Sequence, residues 1–221
     1  GGTATATVDV DICGAKNTLQ TITDRLPETA HVDLERIFDG NGALVDTNMA
    51  IDFDSDGIFE NDADSPQDGI YTAFCIELPD PPNDIKSGAH IYSSYDDLSG
   101  IPSLDGDVDA RDAQTFTQIN YLLNEYIARD GTPDALSFQD VQNVIWTLAA
   151  DEFQEAFLFG DALDLYNEVT DPAVIDAFDP EAADFVGVIV EPKDEAGADN
   201  GQVYIAAVPF KTLSEDCLCV V

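Results

Sequence analysis

The sequence predicts an α+β fold, a β-rich sandwich or barrel body with a helical insertion over about residues 111–180. Three observations carry this. Strand-like segments dominate the first half and return after residue 185. Two amphipathic helical segments, 111–129 and 137–150, lie between them. No internal repeat divides the chain. With 221 residues it fits one domain, expected to span 1–221 with a C-terminal tail over 211–221.

The elements follow in order. "TATATVDVDIC" alternates, with Ala4, Ala6, Val8, Val10 and Ile12 on one face and Thr and Asp on the other, as a half-buried strand does. "HVDLERIF" and "ALVDTNMAIDF" flank the turn "DGNG" at 39–42 and predict a hairpin. "GIYTAFCIEL", 69–78, runs from a Gly to the breaker "PDPP" and reads as a strand. Between 111 and 129, Phe116, Ile119, Leu122, Leu123, Tyr126 and Ile127 recur at helical spacing, and after "DGTPD" a second helix begins at the capping residue Ser137. Shorter helical pieces are expected near 160–168 and 172–179, and strands at "FVGVIVEP", 185–192, and "QVYIAAVPF", 202–210.

Charge bounds the partners. Asp and Glu number 45 against 8 Lys and Arg, a formal net charge of -37, so phosphate backbones and anionic membranes are repelled and no nucleic-acid partner is expected. Such self-repulsion calls for a medium rich in salt or calcium, which points to an extracellular or cell-surface location or a halophilic cytoplasm. No run of about 18 apolar residues exists, so membrane insertion is not expected. A chain opening on Gly1 is consistent with a removed signal peptide.

One residue breaks the helical pattern. In "SFQDVQNVIWTL", 137–148, Phe138, Val141, Val144, Ile145 and Leu148 form the core-facing stripe, and Gln142 lies inside it. A buried amide of this kind is commonly hydrogen-bonded to backbone. The four cysteines, Cys13, Cys75, Cys217 and Cys219, read as two disulfides of open connectivity in an extracellular setting, or with Cys75 as a buried thiol.

The motifs "AFCIEL" and "VQNVIW", with "INYLLNEY" between them, resemble the thioester domains of bacterial surface proteins. That resemblance covers about 69–150. It implies that Cys75 sulfur attacks the Gln142 amide, ammonia leaves, and an internal thioester remains, with Trp146 one turn further on as its shield. A partner amine would then displace the thiolate and become covalently attached. With Cys75 so used, Cys13 has Cys217 or Cys219 to pair with, and one thiol is left over. The spacing of Cys217 and Cys219 lacks a nearby His or third Cys, which argues against zinc.

A second constellation, "DFDSDGIFENDAD", begins like a calcium loop, with Asp52, Asp54 and Asp56 before Gly57, then Glu60 and Asp62 as further oxygen ligands. Its twelfth position is Ala63, where that pattern has an acid. A second acidic run, Asp105, Asp107 and Asp109, lacks the Gly. Enzyme signatures are missing: His31 and His90 stand in no triad or metal spacing, and no phosphate loop or nucleophile elbow appears, so no enzyme is expected.

The expectation that follows is a structural subunit of an extracellular filament or layer, self-assembling with identical subunits through the N-terminal strand and holding calcium. The alternative is a surface adhesin domain that captures amine-bearing partners through the thioester.

Overall fold

The structure is a computed structural model and describes residues 26–42, 44–56, 59, 68–76, 86–96, 98, 101, 113–149, 156, 158–194, 196–198 and 201–209. The proposed assembly strand (Ala4, Ala6, Val8, Val10, Ile12) and the tail 211–221 lie outside the described residues.

Six strands close into an antiparallel barrel. They are β1 (Thr29–Phe38), β2 (Leu44–Asp52), β3 (Gly69–Cys75), β4 (Lys86–Ser93), β5 (Phe185–Lys193) and β6 (Tyr204–Pro209). Around the barrel the order is β1, β2, β3, β6, β5, β4, and β4 returns to β1. The expected sandwich or barrel is therefore a barrel. Closure leaves these strands without the open edge that strand addition from a neighbour would use.

The β1–β2 hairpin forms where the "DGNG" turn placed it, in register from His31↔Asp52 to Phe38↔Leu44, with one irregularity between Ile37 and Phe38. Asp39 turns the chain by accepting from Asn41 N–H through Oδ1 at 2.8 Å. Gly42 takes the positive φ of 84° that a side chain would resist. Strand β4 was not legible in the sequence. "KSGAHIYS" places Ala89 and Ile91 alternately in the core but has Gly88 and Ser87 where a strand pattern expects branched residues.

Alternation on each strand sends one set of side chains into the barrel lumen: Ala30, Val32 and Leu34 from β1, Met49 and Ile51 from β2, Val186, Val188 and Val190 from β5, Tyr204, Ala206 and Val208 from β6. The other faces of β3, β5 and β6 are not left to solvent. Phe74, Ile189, Ile205 and Ala207 join a second core made with the helices. This explains why "FVGVIVEP" and "YIAAV" read as continuous apolar runs: both faces of these strands are covered.

The covering layer is the predicted insertion. It comprises α1 (Ala113–Arg129), α2 (Phe138–Ala149), α3 (Asp161–Thr170) and the single turn α4 (Pro172–Ile175). Helices α1 and α2 bury Phe116, Ile119, Leu122 and Leu123, and Phe138, Val141, Val144 and Ile145, the residues that periodicity selected. Arg129 at the end of α1 reaches Glu125 at 2.7 Å and Glu168 of α3 at 2.8 Å, tying the two helices together. Among the described residues, no helix is long and apolar enough to cross a membrane.

Candidate functional site

The site is built at the end of β3. Phe74, fully buried, stacks on Phe138 at the start of α2, with ring centroids 4.7 Å apart and planes at 14°. It also meets Tyr126 of α1 edge-on at 5.4 Å. The first turn of α2 is fixed by Ser137, whose Oγ accepts from Asp140 N–H at 3.1 Å. Strand end and helix start are thus held together, and the next residue on β3 is Cys75.

Gln142, one turn into α2 and 2 % exposed, aims its amide at that residue. Cys75 N–H donates to Gln142 Oε1 at 2.9 Å, and Gln142 Nε2 donates to Cys75 O at 2.8 Å. The strand register explains why those groups are open to it. β2 pairs with β3 only from Gly69 to Thr72, whereas Ala73, Phe74 and Cys75 pair with β6 on the opposite side. Past the end of the β2–β3 pairing, the Gln142 amide takes the place of a strand neighbour and satisfies both main-chain groups.

Cys75 is held as a thiol, not in a disulfide. Its side chain, partly buried, packs toward the lumen core, and Sγ donates to Gln202 Oε1 at 3.5 Å. Gln202 is 4 % exposed and leads into β6, where Ile76 N–H to Val203 O at 3.0 Å prolongs the β3–β6 pairing. The sequence reading missed Gln202. The sequence places it as the first residue of the strand expected at 202–210 and gives it no role; its only signal is the pairing of β3 with β6, which lies far along the chain. Trp146 sits one turn beyond Gln142 on α2, half-buried. Cys13, Cys217 and Cys219 lie outside the described residues.

The arrangement has chemical content. Cys75 Sγ is two bonds from the Cα that lies between the N–H and C=O gripping the amide, so the residue that holds the amide is also the one that carries the thiol. The N–H bonded to Oε1 draws electron density from the carbonyl and would support the negative charge that forms there on attack.

The acidic loop departs from the expected ligand set. Asp52 and Asp54 come together with Asp68, each offering an oxygen within 4.8 Å of the others, and Asp52 and Asp68 are fully buried. Asp56 adds its backbone N–H to the group, donating to Asp54 Oδ1 at 3.1 Å and Asp52 Oδ1 at 3.2 Å. Asp68 anchors the return of the chain by accepting from Phe53 N–H at 2.8 Å. His31 stands 3.6 Å from Asp52 Oδ2. Desolvation, then the charges of Asp56 and Asp68, hold the Asp54 carboxyl above its ordinary value, while the Asp56 N–H pulls it down. Glu60, Asp62 and the run Asp105, Asp107, Asp109 lie outside the described residues. Asp68 was missed because it falls beyond a twelve-residue calcium loop.

No protein-family model and no curated protein matches the chain. Among solved structures, its fold is similar to the N-terminal domain of the Streptococcus pyogenes pilus tip adhesin Cpa, with 12% identity over 82% of this chain and 93% of that one, TM-score 0.45. It is also similar to the N-terminal thioester domain of a surface protein from Clostridium perfringens, with 12% identity over 80% and 97%, TM-score 0.40. A third likeness is to the N-terminal thioester domain of the fibronectin-binding protein SfbI from Streptococcus pyogenes, with 12% identity over 83% and 94%, TM-score 0.40. At that identity and score the likenesses carry no argument about chemistry, which rests on Cys75 and the amides around it.

Proposed function

We propose that the chain is an extracellular surface domain in which Cys75 and Gln142 form an internal thioester that captures a partner amine. The observation that carries this is the two-point grip of the Gln142 amide by the main chain of the residue that bears the thiol. In the first step the Sγ–Cδ bond forms, the Cδ–Nε2 bond breaks, and the thiol proton leaves with the nitrogen as ammonia. In the second, an amine nitrogen bonds to Cδ, the Cδ–Sγ bond breaks, and a proton of the amine passes to sulfur. Two features support it further: the resemblance of "AFCIEL" and "VQNVIW" to thioester-domain motifs, and the burial of Gln142, which slows hydrolysis of the bond. The net charge of -37 supports a location outside the cell.

The filament or layer subunit is the second reading. It rests on the alternating N-terminal strand, and the closed barrel provides that strand with no acceptor edge among the described strands.

Intact-protein mass spectrometry tests the main reading. The expected mass is lower than that of the sequence by one ammonia; methylamine raises it by one methylamine, placed on Gln142 by peptide mapping, and Cys75→Ala shows neither change. A full-sequence mass in the untreated, freshly folded chain sinks the proposal.

We also propose one calcium ion at Asp52, Asp54 and Asp68. Its support is the "DFDSDG" pattern together with the convergence of the three carboxylates, two of them wholly withdrawn from water, where like charges are costly without a cation.

A further inference from the structure

We propose that Gln202 is the third working residue of this site: its amide accepts from the Cys75 thiol before the bond to Gln142 forms, and donates an N–H to the sulfur when that bond breaks. The inference rests on the thioester reading and extends it to the group that handles the sulfur.

The position argues for the role. Gln202 is buried, and its Oε1 lies 3.5 Å from Sγ, the reacting atom itself. It reaches that place because Cys75 pairs with Tyr204 and Ile76 N–H bonds to Val203 O, which brings the residue before Val203 against the thiol. Gln142 is committed elsewhere, with both ends of its amide on the Cys75 main chain. The two amides therefore divide the residue between them: Gln142 presents the electrophilic carbon and Gln202 orients the nucleophile.

A primary amide suits both stages. As acceptor it fixes the S–H direction and leaves sulfur lone pairs for the Gln142 carbon; the proton goes from sulfur to the departing nitrogen, not to Gln202. After the acyl bond forms, sulfur has no hydrogen to give. A half-turn about Cγ–Cδ exchanges Oε1 for Nε2, and the amide becomes a donor. When an amine displaces sulfur, the electron pair of the broken Cδ–Sγ bond stays on sulfur, and that N–H stabilises the charge until a proton arrives.

Two substitutions in the full chain separate these stages. Gln202→Met keeps length and removes both functions; Gln202→Glu keeps the acceptor and loses the donor. Formation is read as the fraction of chain lacking ammonia, and bond breaking as the rate of methylamine uptake. The expected result is that Gln202→Met slows uptake about tenfold or more, the scale of one lost hydrogen bond to a charged group. Gln202→Glu is expected to form the bond to an extent near wild type while its uptake slows by about the same factor or more. Melting temperatures show whether each variant is folded, and if Gln202→Met is not, the split in Gln202→Glu carries the test. Wild-type uptake in both folded variants overturns the proposal, as does equal loss of both steps in a folded Gln202→Glu. If wild type keeps its ammonia, the thioester reading fails by itself. Gln202 is then tested by iodoacetamide alkylation of Cys75, expected about tenfold slower in Gln202→Met and overturned by equal rates.

Discussion

Side-chain amides do the work of strand backbone at two places where helix meets barrel. Asn124 of α1 grips Phe185 as Gln142 grips Cys75: its Oδ1 accepts from Phe185 N–H at 3.0 Å and from Asp184 N–H at 3.1 Å, and its Nδ2 donates to Phe185 O at 2.9 Å. One turn earlier, fully buried Asn120 accepts from Gly187 N–H at 2.7 Å and donates to Ser94 Oγ and Phe116 O. The grip is thus a structural device in its own right, and what sets Gln142 apart is the thiol on the gripped residue. Asn124→Leu is expected to lower stability by about 1–3 kcal/mol, because it strands main-chain groups of Phe185 and Asp184. The ammonia loss of the chain is expected to persist. Urea unfolding measures the first and intact mass the second; an Asn124→Leu protein that is folded but keeps its ammonia would show that the two grips are not separable. Gln142 was legible because helical periodicity exposes a polar residue in an apolar stripe. Gln202 and Asp68 were not, because each acts from an irregular segment whose meaning comes from a strand or carboxylate distant in sequence.

At the scale of elements, the β3 strand and α2 helix are joined by the stacked pair Phe74 and Phe138, and the adjacent residues Cys75 and Gln142 inherit that alignment. The run from Gly69 to the breaker "PDPP" predicted β3, and three-and-four spacing predicted α1 and α2. Neither pattern contains the pairing of β3 with β6 that closes the barrel, so a sandwich and a barrel were equally compatible with the sequence. The connection from β2 to β3 shows the same limit. The Asp-x-Asp-x-Asp pattern drew attention to Asp52 and Asp54, yet the third carboxylate of the group comes from just before β3. If calcium sits there, it ties the end of β2 to the start of β3, and removing it destabilises the folded chain alone. At free calcium about 100-fold above Kd, binding adds about 2.7 kcal/mol. The expected outcome is a melting temperature that falls on chelation and recovers with calcium. Asp68→Asn should abolish this response while relieving repulsion in the metal-free protein. A transition indifferent to chelator and calcium would falsify the ion.

For the whole molecule, the excess of carboxylates lets Arg129 and Lys193 act as local ties. Arg129 joins two helices, and Lys193 sits 2.8 Å from the buried Glu191. Tyrosines complete these ties by donating to the same acids: Tyr121 to Glu168 at 2.7 Å and Tyr92 to Glu191 at 3.2 Å. A tyrosine in that position must stay protonated, and the fold holds its hydroxyl so. Burial first, then the Glu191 charge, pushes Tyr92 up to about 12 from 10.0; burial first, then Asp46 and Asp130, does the same to Tyr126. Tyr71 and Tyr95 are raised further by burial, and Tyr121 by burial and its bond to Glu168. A raised value means that the folded chain binds these protons more tightly than the unfolded one. Their contribution to stability is therefore complete below about pH 10 and is lost as pH climbs from 10 through 12. The fold should weaken steeply across that window, with Tyr92→Phe and Tyr126→Phe each making the decline shallower. Denaturant midpoints measured from pH 8 to 12 follow the loss, and tyrosinate absorbance should lag in the folded protein and appear with unfolding. Tyrosines that ionise near 10 while the chain is still fully folded would remove the basis for it.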